Sequence, residues 1–276
     1  MLETIPAARY DEIRSHLAAF EAANELTLVY ACESGSRAWG FPSLDSDFDV
    51  RFLYVRDLRW YLSVSARPDV IEEPIDGELD IGAWDVKKAL GLMRRGNAPL
   101  IEWLASSIVY FERPSAIEPL RRLVEPSLLP ESVCHHYLAQ SRRILAGIEQ
   151  SHETTLKKYF YVMRALLAAR WIVERGSAPP MDLWSLLGEA SPRFCSRARL
   201  DEMVGEKAQS QEGGRLTRLF DLEAGLRQEH DRLAAQIPKN GPPVDAALFD
   251  QAFLEVLRAV GQPVEPAAQI DPGGGG

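Results

Sequence analysis

The chain opens on a helical pattern of apolar positions. Ile13, Leu17 and Phe20 recur at steps of three and four within residues 7–24, which predicts a helix with one apolar face. Leu26 to Ala31 is short, apolar and bounded by polar residues, and predicts a strand. Residues 33–40, Glu-Ser-Gly-Ser-Arg-Ala-Trp-Gly, predict a turn that opens a short helix. Between Asp47 and Val55, Phe48, Val50 and Phe52 alternate with Asp47, Asp49 and Arg51. A period of two predicts a half-buried strand. Another strand is predicted over residues 78–83, with Asp85 capping the helix after it and Gly96 ending that helix.

Past about residue 115 the strand pattern gives way to helices, predicted at 131–150, 153–175, 198–209, 215–236 and 245–260, with a Pro- and Gly-containing break at 237–243. The predicted organisation is a mixed α/β unit over 1–115, an all-helical unit over 116–261, and a Pro- and Gly-rich tail over 262–276 expected to be disordered.

Composition narrows the class. The 276 residues are 46% hydrophobic, enough for one large or two modest cores. No window approaches the ~18 apolar residues of a membrane helix. The opening Met-Leu-Glu-Thr-Ile-Pro lacks a basic and an apolar region, so no secretory signal is expected. Cys32, Cys134 and Cys195 are far apart and odd in number. They suggest neither a disulfide framework nor a zinc site, and a cytoplasmic setting is expected. The net charge of −9 means that a nucleic-acid partner must be held by a local basic patch.

The chemistry centres on Asp47-Phe48-Asp49. Residues two apart on a strand share a face, roughly 6.6 Å apart. Carboxylates so placed can hold two divalent cations, Mg²⁺ or Mn²⁺, with substrate phosphates completing the coordination. Gly35-Ser36 upstream suits the phosphates: a glycine allows close backbone approach, the helix turn offers free N–H groups, Ser36 a hydroxyl and Arg37 a charge. The bland alternative is a solvated or calcium-binding loop. Counted from Asp45, however, the sixth residue is Val50 and the twelfth Arg56, where a calcium loop needs Gly and Glu. Acidic residues are also poor strand formers, so their place in an apolar run asks for a reason.

Gly35-Ser36 followed by Asp47-x-Asp49 resembles the signature of the polymerase-β nucleotidyltransferase superfamily. Residues 33–51, with Arg94–Trp103 and Lys157–Arg164, are more narrowly similar to the RNA-ligase-associated polymerase-β-type proteins. The resemblance implies an α+β fold: a small mixed sheet with helices on one side, here followed by an all-helical domain. It also implies a third carboxylate on a neighbouring strand, acting as metal ligand and general base. Asp80 is the candidate, with Glu78 on the same face as competitor. The implied activity is transfer of a nucleoside monophosphate from an NTP to an acceptor hydroxyl, with pyrophosphate leaving. The acceptor would be an RNA 3′ end if RNA ligases are partners, a protein hydroxyl as in antitoxin-like members, or a small molecule. A non-catalytic nucleotide-binding module is the reading from another class, and three retained carboxylates argue against it.

In the helical half, Lys157, Tyr161, Arg164, Ala168, Trp171 and Arg175 fall on one stripe. Lys157 and Arg164 are expected to face the carboxylates and bind the triphosphate; a solvated face is the alternative. Arg51 shares the Asp47/Asp49 face and is expected to pair with those carboxylates or a phosphate. Asn97 is read first as a cap, Glu102 as an ion-pair partner, His135 and His136 as surface or partly buried residues, and Trp39 and Trp84 as core plugs.

Overall fold

The computed structural model describes residues 5–73, 77–188 and 192–264. Residues 265–276, most of the segment expected to be a disordered tail, lie outside the described residues. Helix α1 (Ala7–Ala23) leads into β1 (Leu26–Glu33), the short α2 (Gly35–Ala38), β2 (Phe48–Arg56), α3 (Leu58–Tyr61), β3 (Val70–Glu72) and β4 (Leu79–Asp85). Then follow α4 (Val86–Met93), α5 (Ala98–Leu104), β5 (Val109–Glu112) and α6 (Pro114–Val124). The helical half holds α7 (Pro130–Glu149), β6 (Glu153–Thr155), α8 (Leu156–Arg175), α9 (Leu183–Leu187), α10 (Arg197–Ala208), β7 (Arg215–Thr217), α11 (Phe220–Ala234) and α12 (Ala246–Ala259).

Five strands form one mixed sheet in the order β3-β4-β2-β1-β5. β2 runs parallel to β4 and antiparallel to β1; β3 and β5 are antiparallel edges. The central position of β2 explains why its alternation ends in a continuous buried run, Phe52 to Val55: helices cover both faces there. Ile13 and Leu17 of α1 pack on one face with Leu28, Val50 and Phe52. On the other face, Val29, Leu53 and Val55 pack with α4, α6 and α12. Helices therefore lie on two sides of the sheet, not one, because α1 closes the face that the crossover helices leave open.

The third core lies among α7, α8, α9, α10 and α11, and it takes in Trp39 and Phe41 from the segment after α2. Phe41 stacks on Phe160 at 4.9 Å, and Trp39 meets Tyr161 edge-on at 4.8 Å. Trp84 stacks on Trp103 at 4.0 Å, so both Trp39 and Trp84 are packed as core plugs. α12 joins the core behind the sheet, with Phe249, Ala252, Val256 and Leu257 buried there. The cores are thus not partitioned at residue 115.

Two predicted helices start late. Residues 153–155 and 215–217 pair as a small antiparallel sheet before α8 and α11 begin. Among the described residues no helix is long and apolar enough to cross a membrane.

Candidate active site

Asp49 and Asp80 lie directly opposite each other in the β2–β4 register. Parallel strands about 4.8 Å apart place such side chains together on one face. Arg51, two residues along β2, bridges them: its Nη2 donates to Asp49 Oδ1 at 3.2 Å and to Asp80 Oδ2 at 2.7 Å. Its Nη1 donates to the Val50 and Asp80 carbonyls, both at 2.9 Å. Glu78 is exposed and pairs with Arg9 at 3.0 Å, which leaves Asp80 as the carboxylate beside Asp49. Asp47 sits exposed just before β2. Slight desolvation at the sheet edge, then the Glu212 charge, push the Asp47 carboxyl above its ordinary range, while Lys157 opposes them. Burial also raises Asp49, with Arg51 opposing and Asp80 adding to the rise. Among the described residues no three His, Cys, Asp or Glu side chains cluster closely enough to hold a metal ion. The chemistry of the donors nonetheless suits a hard divalent cation, since carboxylate oxygens are the ligands such ions prefer, and Asp49 and Asp80 already converge on one positive group, the Arg51 guanidinium.

The turn before β2 is fitted to Asp49. Gly35 has φ +58°, and a Cβ there would fall 1.9 Å from Asp49 Oδ2. Only glycine tolerates both the left-handed backbone and this approach. Ser34 N–H donates to the Asp49 carbonyl at 2.8 Å. Glu33, fully buried at the end of β1, accepts from Asp49 N–H at 3.0 Å and from the Tyr110 hydroxyl at 2.6 Å. Burial pushes Glu33 up to about 7. Ser36 is buried and donates to Ser46 Oγ at 3.1 Å. Arg37 donates to the Ser46 and Asp47 carbonyls and lies over Phe48 at 3.9 Å, so it fastens the loop that carries Asp47.

From the helical half, Lys157 reaches this edge of the sheet, where its charge bears on both Asp47 and Asp49. It pairs with Glu212 at 2.8 Å. Lys157, Tyr161 and Glu212 line a cleft of about 600 Å³ with Arg143, Ile144 and Thr155. Asp47, Asp49 and Asp80 line neither this cleft nor a larger hollow of about 710 Å³ between the starts of α10 and α11.

Arg164 departs from expectation. It is 2% exposed, pairs with Glu102 at 2.8 Å, donates to the Met181 carbonyl at 2.9 Å and lies over Trp39 at 4.5 Å. Two turns beyond Lys157, α8 has passed beneath Trp39, so Arg164 lies in the core rather than facing the carboxylates. Further along the stripe, Ala168 is buried, and Trp171 bonds Ser177 and carries Arg175 on its ring. Asn97 caps α5 by accepting from Leu100 N–H at 3.0 Å, and His135 and His136 are exposed.

Glu33, Ser46, Lys207 and Glu212 escape a reading of the sequence. Glu33 carries a weak signal, a charge closing an apolar run. The others reach the site only through tertiary folding, and no local pattern marks them.

A model of the RNA repair pathway DNA polymerase beta family matches residues 10–255. An uncharacterised protein of Bacillus subtilis (strain 168), YcgL, is 41% identical over 227 residues, which cover 82% of this chain and 85% of that protein. A nucleotidyltransferase-like protein from Exiguobacterium sibiricum 255-15 aligns over 91% of this chain and 78% of its own at 15% identity, with a TM-score of 0.30. A match over nearly the whole chain, on a sequence that carries Gly35-Ser36 and Asp47-x-Asp49, settles the family: the chain belongs to the RNA repair pathway DNA polymerase beta family.

Proposed function

We propose that this chain transfers a nucleoside monophosphate from an NTP to an RNA 3′ hydroxyl, using two divalent ions held by Asp47, Asp49 and Asp80. The observation that carries the reading is the in-register pair of Asp49 and Asp80, with Gly35 pressed against Asp49. Bound there, Mg²⁺ or Mn²⁺ would offset phosphate charge and make the attacking hydroxyl more acidic. Arg51 gives up its shared position between Asp49 and Asp80 and turns to phosphate. Gly35 and Ser36 offer close backbone approach to the triphosphate, Lys157 supplies charge, and Arg37 keeps Asp47 in place. The acceptor oxygen would bond to the α-phosphorus as the bond to pyrophosphate breaks, with Asp80 taking the hydroxyl proton.

The RNA acceptor rests on the family's description, and an RNA ligase as working partner would follow from it. A cytoplasmic setting suits the three free cysteines. The −9 net charge favours a second reading, a protein hydroxyl as acceptor. Incubation with each labelled NTP and Mg²⁺, offering RNA with free or blocked 3′ hydroxyls beside total protein, separates them. Label on free-ended RNA alone supports the first reading. Label on protein alone replaces it with the second, and label on neither under any NTP removes both.

A further inference from the structure

Glu212 lies in the loop between α10 and β7, far from the sheet in sequence, yet its carboxylate stands at the carboxylate edge. Lys157 Nζ lies 2.8 Å from Oε2, and Ser46 Oγ donates to Oε1 at 3.3 Å. Ser46 also accepts from Ser36 Oγ at 3.1 Å and from Ser43 N–H at 2.9 Å. Behind it, the buried Lys207 donates to Ser43 Oγ at 2.6 Å. The loop is latched by Glu212 N–H on Asp45 Oδ1 at 2.6 Å and by Leu44 N–H on the Ser210 carbonyl at 3.2 Å.

This placement has an electrostatic cost. The Glu212 carboxylate accepts from Ser46, the residue before Asp47, and so adds a negative charge to the edge that carries Asp47 and Asp49. A carboxylate whose only task was to pair with a surface lysine would gain little and would lie better away from a like charge. Nor does Glu212 share in the Arg51 contact that joins Asp49 and Asp80; its own partners are Lys157 and Ser46. What surrounds it is a donor set suited to phosphate: an ammonium, a hydroxyl fed by a second hydroxyl, and another ammonium behind.

We propose that Lys157 and Ser46, backed by Lys207, form a phosphate subsite for the outer end of a triphosphate, and that Glu212 is a built-in anion filling it until substrate displaces it. The proposal deepens the nucleotidyl-transfer reading and rests on it. It assigns Glu212 a competitive role, so nucleotide must outbid an internal carboxylate, and chains of phosphate that engage the subsite outbid it best.

Calorimetric titration with inorganic tripolyphosphate in excess Mg²⁺ tests this without any transfer reaction. Glu212→Gln keeps the shape and removes the charge, and should bind tripolyphosphate roughly tenfold more tightly than wild type. Asp45→Ala, which removes the acceptor that latches Glu212 N–H, should shift affinity the same way by less. Lys157→Ala should weaken binding, and Glu212→Gln should add nothing in that background. Equal or weaker binding by Glu212→Gln overturns the proposal, weaker binding meaning that Glu212 itself helps to hold ligand or metal. Absence of binding by both proteins overturns it as well. The transfer reading is judged separately, by labelled nucleotide and the Asp49→Asn protein, and can stand when the subsite fails.

Discussion

A methyl group on Gly35 would fall 1.9 Å from Asp49 Oδ2, on a backbone with φ +58°. Gly35→Ala must therefore strain the turn and move the carboxylate. It should cost ~1–3 kcal/mol of stability in urea unfolding and at least ~100-fold in transfer activity. Normal activity in a folded Gly35→Ala protein would mean that Asp49 is not held for chemistry. Lys157 and Arg164, alike in the sequence, should part in experiment. Lys157→Ala should weaken NTP binding by ~1–3 kcal/mol and leave unfolding unchanged, as expected for a charged bond at a cleft. Arg164→Ala strands the Glu102 carboxylate in the core and should destabilise by ~3–5 kcal/mol. NTP titration beside urea unfolding of each variant separates the two roles. The difference is illegible from helical spacing, because spacing gives the face of a helix and not what lies above each turn. Asp47 and Asp49 are legible, because carboxylates that interrupt an apolar strand are costly there unless a ligand or a cation offsets them. Asp80 is legible once a third carboxylate is looked for on a neighbouring strand. Glu212 is not, because its place depends on where a distant loop lands.

Elements read best where the pattern is long. The alternation of β2 and the periodicity of α7 and α10 predict them to within about a residue at each end. β6 and β7, three residues each, are too short to show a period, and merge into the helices that follow. β3, β5 and α6 leave no clear pattern; α6 begins at a proline where the strand pattern fades. Asp85 is the cap that the sequence predicts, and it accepts from Lys87 N–H at 2.8 Å and from the Tyr61 hydroxyl at 2.7 Å. Burial lifts its carboxyl from 3.8 to about 6. The folded state thus holds the proton more tightly than the unfolded chain. The associated stability is complete below the unfolded value and is lost as pH rises through the folded one. Replacing Asp85 by Asn should remove this slope, on the order of 3 kcal/mol across the window. Urea midpoints of both proteins across that window check it, and parallel curves would show that Asp85 does not carry the effect.

On the scale of the molecule, the sheet and the helical half are built into each other from both directions. Trp39 and Phe41 anchor the turn beside the carboxylates in the helical core, and α12 returns to cover the sheet. Leu257→Ala should accordingly cost ~2–5 kcal/mol, although it lies at the far end of the sequence from β1. A loss under ~1 kcal/mol in urea unfolding would show that α12 is not part of that core. The same interlock brings Lys157 and Glu212 to the edge that carries Asp47, Asp49 and Asp80, so the candidate site draws on both halves. The central claim is that this edge moves a nucleoside monophosphate and releases pyrophosphate. Paired reactions with α-labelled and γ-labelled NTP test it most directly. The account predicts that α-label passes to the acceptor, γ-label appears as pyrophosphate in equal amount, and Asp49→Asn abolishes both. Release of γ-label as inorganic phosphate, or transfer undiminished in Asp49→Asn, would contradict it.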